Sequence, residues 1–106
     1  MNDKTKKIVA QVKKEFVLLY GERLHRMMLY GAQARSDQTE LIGIDLLVVL
    51  RGGVDAGREI ARVSSITSRL SLEHDAVISS TFIPLAAFES EQSPLMLIVR
   101  REGVVV

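Results

Sequence analysis

Cysteine is absent from this chain of 106 residues. Its absence removes disulfides, thiol nucleophiles and zinc-thiolate sites together, and it suits a reducing compartment. An excess of one charge is missing as well. The 14 basic and 13 acidic residues leave a net charge of +1, so no global field draws the protein onto nucleic acid or an anionic membrane. There is no tryptophan, and the two tyrosines and three phenylalanines do not interleave with a basic run, which argues against binding nucleic acid by base stacking. With two histidines far apart in sequence, a zinc site has no support. The longest purely aliphatic run, Leu46 to Leu50, is far too short to span a bilayer. The opening residues, MNDKTKKIVAQVKK, lack the apolar stretch of a secretory signal. These absences predict a cytoplasmic protein with neither membrane nor nucleic acid as partner.

What is present is apolar sequence, 47% of the chain, in amounts that fit one domain over residues 1–106 burying roughly 60 to 70% of its unfolded surface. Ile8, Val12, Phe16 and Leu19 recur at helical spacing, with Lys6, Lys7, Lys13 and Lys14 off that stripe and Gly21 as a stop. The lysines read as a solvated face. Leu24 to Tyr30 reads as a strand, Ala32 to Asp37 as a short helix or loop, and Ile42 to Leu50 as a second strand closed by Gly52-Gly53. Asp55 opens a helix from Val54 to about Leu72, whose stripe is Ile60, Val63, Ile66 and Leu70. Ala76 to Ile83 follows as a third strand, with Val77, Ile78, Phe82 and Ile83 suiting a sheet buried on both faces. Strand, long helix and strand make a crossover unit. A turn at Pro84, a helical stretch from about Pro94 to Arg101 and a C-terminal GVVV complete the chain, and those valines require a sheet edge or a partner. The fold class is α/β or α+β, a small mixed β-sheet with packed helices.

One residue breaks the apolar logic of the second strand. Asp45 stands in the middle of IGIDLLVVL, where an isolated charge costs several kcal/mol unless water, a partner or a metal compensates it. Its surroundings form a pattern: Gly31-Ala32, ten residues from Gln33 to Ile42, then Gly43-Ile44-Asp45. This resembles the nucleotidyltransferase superfamily signature, Gly-Ser, ten residues and Asp-x-Asp, as found in the minimal nucleotidyltransferases. LYGAQARS is similar to the family's LFGSRARG, and looser likeness runs through Phe88-Glu89-Ser90, the Pro94-Leu95 helix and Arg101-Glu102-Gly103. In that family the amides of a glycine turn cradle phosphates, and alternate residues of a strand bring two aspartates to one Mg²⁺. In-line attack on the α-phosphate needs that positive charge.

The resemblance therefore assigns Gly31, Ala32 and Arg35 to nucleotide binding, with Asp45 as the remnant of the catalytic metal site. It also exposes three departures: Ala32 has no hydroxyl, Gly43 replaces the first aspartate, and no acid stands near Val77, where the family carries a third. Asp75 could share the face of Val77 as a slipped third acid, or belong to a polar loop. Asp45 could equally be a structural acid held by the Gly31 turn, and Arg35 could pair with Asp37 or Asp45. The resulting expectation is a catalytically degenerate antitoxin-like partner of a HEPN-type toxin, or a homo-oligomer, needing no cofactor. The alternatives are an active Mg²⁺- and ATP-dependent adenylyltransferase using Asp45 and Asp75, and a nucleotide-binding regulatory module. Arg69 and His74 have the R-x4-H spacing of HEPN ribonucleases, but those domains are all-helical. His25 reads as a paired sheet residue, and Met27 and Met28 as core filling.

Overall fold

The computed structural model describes residues 1–31 and 42–106. Helix α1 spans Asp3–Tyr20, capped at its start by the Asn2 side chain, which accepts from the Thr5 N–H, and ended by Gly21 at φ +55°. A single 3₁₀ turn, Gly21–Arg23, leads into strand β1 at Leu24–Tyr30. Strand β2 covers Ile42–Leu50 and helix α2 Ala56–His74, with Asp55 as its N-cap. Strand β3 is Ala76–Pro84, helices α3 and α4 are Leu85–Ser90 and Pro94–Glu102, and β4 is Val104–Val105.

The four strands form one mixed sheet in the order β3-β2-β1-β4. β1 is antiparallel to both β2 and β4, while β2 and β3 run parallel, joined through α2 as a crossover requires. Period-two alternation then divides the side chains of β2. Ile44, Leu46, Val48 and Leu50 pack beneath α1 and α2 with Ile8, Phe16 and Phe82 in the larger core. Leu47 and Val49 face the opposite way, onto Met96 and Val99 of α4. Because α3 and α4 cover only that end of the second face, the residues two and four positions before Leu47 on β2, Asp45 and Gly43, are left half-buried and exposed.

Several expectations need correction in detail. Tyr20, not Leu19, completes the buried row of α1 with Ile8, Val12 and Phe16, since steps of four hold that face; Leu19 is 41% exposed. On α2, Ile60 lies 50% exposed and Glu59 is buried in its place at 3%. Glu59 can be buried because its Oε1 accepts a 2.9 Å hydrogen bond from the Tyr20 hydroxyl and its carboxylate lies near Arg23 and Arg62. β3 is not buried on both faces: Val77 is 55% exposed and Ser79 is open to solvent. Helix α3 has no counterpart in the sequence reading. The C-terminal valines do find a sheet edge, with Val105 opposite Met28 and Val104 opposite Leu29.

Candidate functional site

The open end of the second sheet face is where the candidate residues meet. β1 ends at Tyr30, and Gly31 follows it at φ +81°, a conformation that favours glycine. The turn brings Gly31 directly onto the Asp45 carboxylate: a Cβ on Gly31 would lie 3.1 Å from Oδ2. Asp45 is half-buried, paired across the sheet with Tyr30 on one side and Ser79 on the other. Gly43 stands opposite Val77 in the same parallel ladder. Strand periodicity gives Gly43, Asp45, Val77 and Ser79 one common face.

The three departures in the motif acquire a spatial meaning from this ladder. Among the described residues a side chain at Gly43 would meet nothing within 4 Å, at the position of the missing aspartate two residues before Asp45 on the same face. Val77, where the family carries its third acid, is the direct neighbour of Gly43. Gly31, Gly43, Asp45 and Val77 are thus brought together by the fold. Ala32, Arg35 and Asp37 lie outside the described residues. Asp75 is not on the strand: it is the left-handed C-cap of α2, at φ 51° and ψ 54°, with its N–H bonded to the Ser71 carbonyl. The register starts one residue later, at Ala76.

Arg69 and His74 are occupied elsewhere. The Arg69 guanidinium binds the Glu15 carboxylate and lies 3.6 Å from Glu73, and Glu15 together with Glu73 raises its pKa above the ordinary arginine value. His74 Nε2 lies 2.9 Å from Gln11 Oε1. Both contacts tie α2 to α1, so the R-x4-H spacing serves helix packing. His25 sits on β1, its Nδ1 3.4 Å from the Arg51 guanidinium. Tyr30 and Ser79, which flank Asp45, were not singled out in the sequence, because cross-strand register carries no local signal there.

No family model matches the chain. It is, however, 31% identical over 72 residues, 68% of its own length and 72% of the relative's, to "Putative protein adenylyltransferase MJ0141" of Methanocaldococcus jannaschii. The chain belongs to the minimal nucleotidyltransferase family. Solved structures share its fold at lower identity. A toxin-antitoxin structure with AMP-PNP superposes with a TM-score of 0.62 at 18% identity, over 98% of this chain and 72% of that one. A mutant of the toxin-antitoxin MntA-HpeT gives 0.61 at 19%, over 100% and 72%.

The donor set around Asp45 among the described residues does not by itself fit a dinuclear Mg²⁺ centre. Among the described residues no group of three or more His, Cys, Asp or Glu side chains could hold a metal ion. Asp45 alone has neither the i−2 carboxylate, which is Gly43, nor a neighbour on β3, where Val77 and Ser79 stand. Mg²⁺ keeps several waters and binds through carboxylates together with substrate phosphates. One carboxylate leaves that arrangement incomplete.

Proposed function

We propose that this minimal nucleotidyltransferase has lost nucleotide transfer and acts as an antitoxin-like protein that binds its target, an all-helical HEPN-type toxin. The single observation that carries the reading is the Gly43–Val77 pair beside Asp45, two carboxylate positions filled by a hydrogen and an isopropyl group. Without those charges the leaving and attacking oxygens of an in-line displacement stay unneutralised. Each missing charge-stabilising group typically costs about 10² to 10³ in rate. Sequestration needs none of them. Gly31, Ala32 and Arg35 are then the remains of a phosphate cradle, and Asp45 a carboxylate that packs against the Gly31 turn.

The active-transferase reading asks Asp75 to replace the acid at Val77, and the left-handed cap conformation of Asp75 takes it out of the strand ladder. The test is mass spectrometry of the product of the neighbouring gene after incubation with this chain, ATP and Mg²⁺. The expected outcome is a stable complex with no mass gain. A Mg²⁺-dependent gain of AMP that disappears in Asp45→Asn overturns the proposal.

A further inference from the structure

β3 is an outer strand of the sheet, and among the described residues no strand pairs with its free edge. Long outer strands are normally guarded by charges, prolines in the middle of the strand or bulges, because unpaired N–H and C=O groups recruit another strand. This one has none of those guards. AVISSTFIP carries no charged residue, its only proline is the last position, and all nine of its residues, Ala76 to Pro84, keep unbroken register with β2. Its chemistry is also symmetric about its centre. Outward from Ser80 the residues are Ser79 and Thr81, Ile78 and Phe82, then Val77 and Ile83.

We infer that β3 is a self-pairing edge, and that two copies of this chain join antiparallel across a two-fold axis at Ser80 to form one continuous eight-stranded sheet. Directly opposite residues in an antiparallel pair share a face. The symmetry therefore sets Ser79 against the partner's Thr81, Ile78 against the partner's Phe82 and Val77 against the partner's Ile83, hydroxyl to hydroxyl and apolar to apolar. An isologous contact demands such self-complementarity, and an unrelated extended peptide would not require it.

Two further features lie along the same edge. A cavity of about 250 Å³ runs between α2 and β3, lined by Ile60, Ser64 and Thr67 of the helix and by Ile78, Ser79 and Ser80 of the strand. Ser80, at the proposed axis, lines this cavity, and its hydroxyl is a buried side-chain oxygen without a hydrogen-bond partner among the described residues. On α2, the row Gly57, Ile60, Ser64, Thr67 and Ser71 carries no charge, although Arg58, Arg62, Arg69 and Glu73 charge other faces of the same helix. Two such rows can approach across the axis without like-charge repulsion. The pairing also puts the partner's Thr81 next to Ser79, beside the Asp45 face.

The chain's lack of cysteine makes the geometry directly testable. Opposite Cα atoms in an antiparallel pair lie about 4.5 to 5.5 Å apart, within the span of a disulfide. Ser80→Cys should oxidise to a covalent dimer, whereas Val77→Cys, which is more exposed but faces the partner's Ile83, should not cross-link. Light scattering should give a dimer for the unmodified chain and at least a tenfold weaker dimer for Val77→Lys, with an unchanged circular dichroism spectrum. A monomer by light scattering, or cross-linking no faster at Ser80 than at Val77, overturns the inference.

Discussion

Tyr20 and Glu59 are the residues whose burial most constrains the chemistry of the core. Burial first, then the hydrogen bond to Glu59 and the charge of Glu59, raise the Tyr20 phenol well above its ordinary pKa, against a smaller opposing pull from Arg62 and Arg23. A group whose native pKa is raised contributes stability below its unfolded value, about 10 for tyrosine, and loses it as pH climbs toward the native value. Between those limits the unfolded chain has released a proton that the native state retains. Chemical denaturation from pH 8 to 11 should therefore show a steeper loss of stability in the natural chain than in Tyr20→Phe. At pH 7 the same substitution should cost about 1 to 3 kcal/mol, because a buried carboxylate oxygen loses its donor. If the two pH curves are parallel, titration of Tyr20 is not what drains stability over that range. Neither residue stood out in the sequence: Tyr20 hid behind Leu19, and a glutamate within a helix reads as surface until its partner, 39 positions away, is known.

Elements were far more legible than individual partners. β1 and β2 occupy Leu24–Tyr30 and Ile42–Leu50 as expected, because a glycine turn and a polar loop bound two apolar runs. α2 starts at Ala56 because Asp55 accepts from the Arg58 N–H. Replacing Asp55 with alanine should destabilise the protein by about 1 kcal/mol, while Arg69→Ala, which removes an exposed contact between α1 and α2, should leave the thermal midpoint nearly unchanged. A marked loss for Arg69→Ala with none for Asp55→Ala would reverse that ranking of local against interhelical contacts. Helix α3 escaped notice since six residues following a proline, LAAFES, show less than two turns of periodicity. The exposure of Val77 and Ser79 escaped for a different reason: a run of apolar and hydroxyl residues does not reveal how far along a sheet the covering helices reach.

At the scale of the molecule, the candidate site depends on a ladder that no single segment encodes. The motif spacing located Gly31, Gly43 and Asp45, but their convergence needs β1, β2 and β3 side by side, and the parallel pairing of Gly43 with Val77 needs the whole of α2 between them. The scaffold should still accept the missing charges, since a Cβ at Gly43 meets nothing within 4 Å among the described residues and Val77 is exposed. In the combined variant Ala32→Ser, Gly43→Asp and Val77→Asp, calorimetry should detect tighter Mg²⁺ binding than in the natural chain. A folded variant with no gain would mean that the strand spacing, and not only the side chains, has left the active geometry.

The last strand has a consequence for how the protein comes to be folded. β4 adds to the sheet beside β1, and the Lys13 ammonium donates to the Val106 carbonyl across 93 residues of sequence. Contacts of such separation cannot form until the intervening chain exists, and they slow folding relative to local ones. A chain leaving the ribosome can assemble α1, β1 and β2 early, yet β1 keeps one side bare until Val104 and Val105 emerge. During that interval Met27, Met28 and Leu29 present a temporary strand edge, which leaves the nascent protein prone to mispairing until β4 is in place.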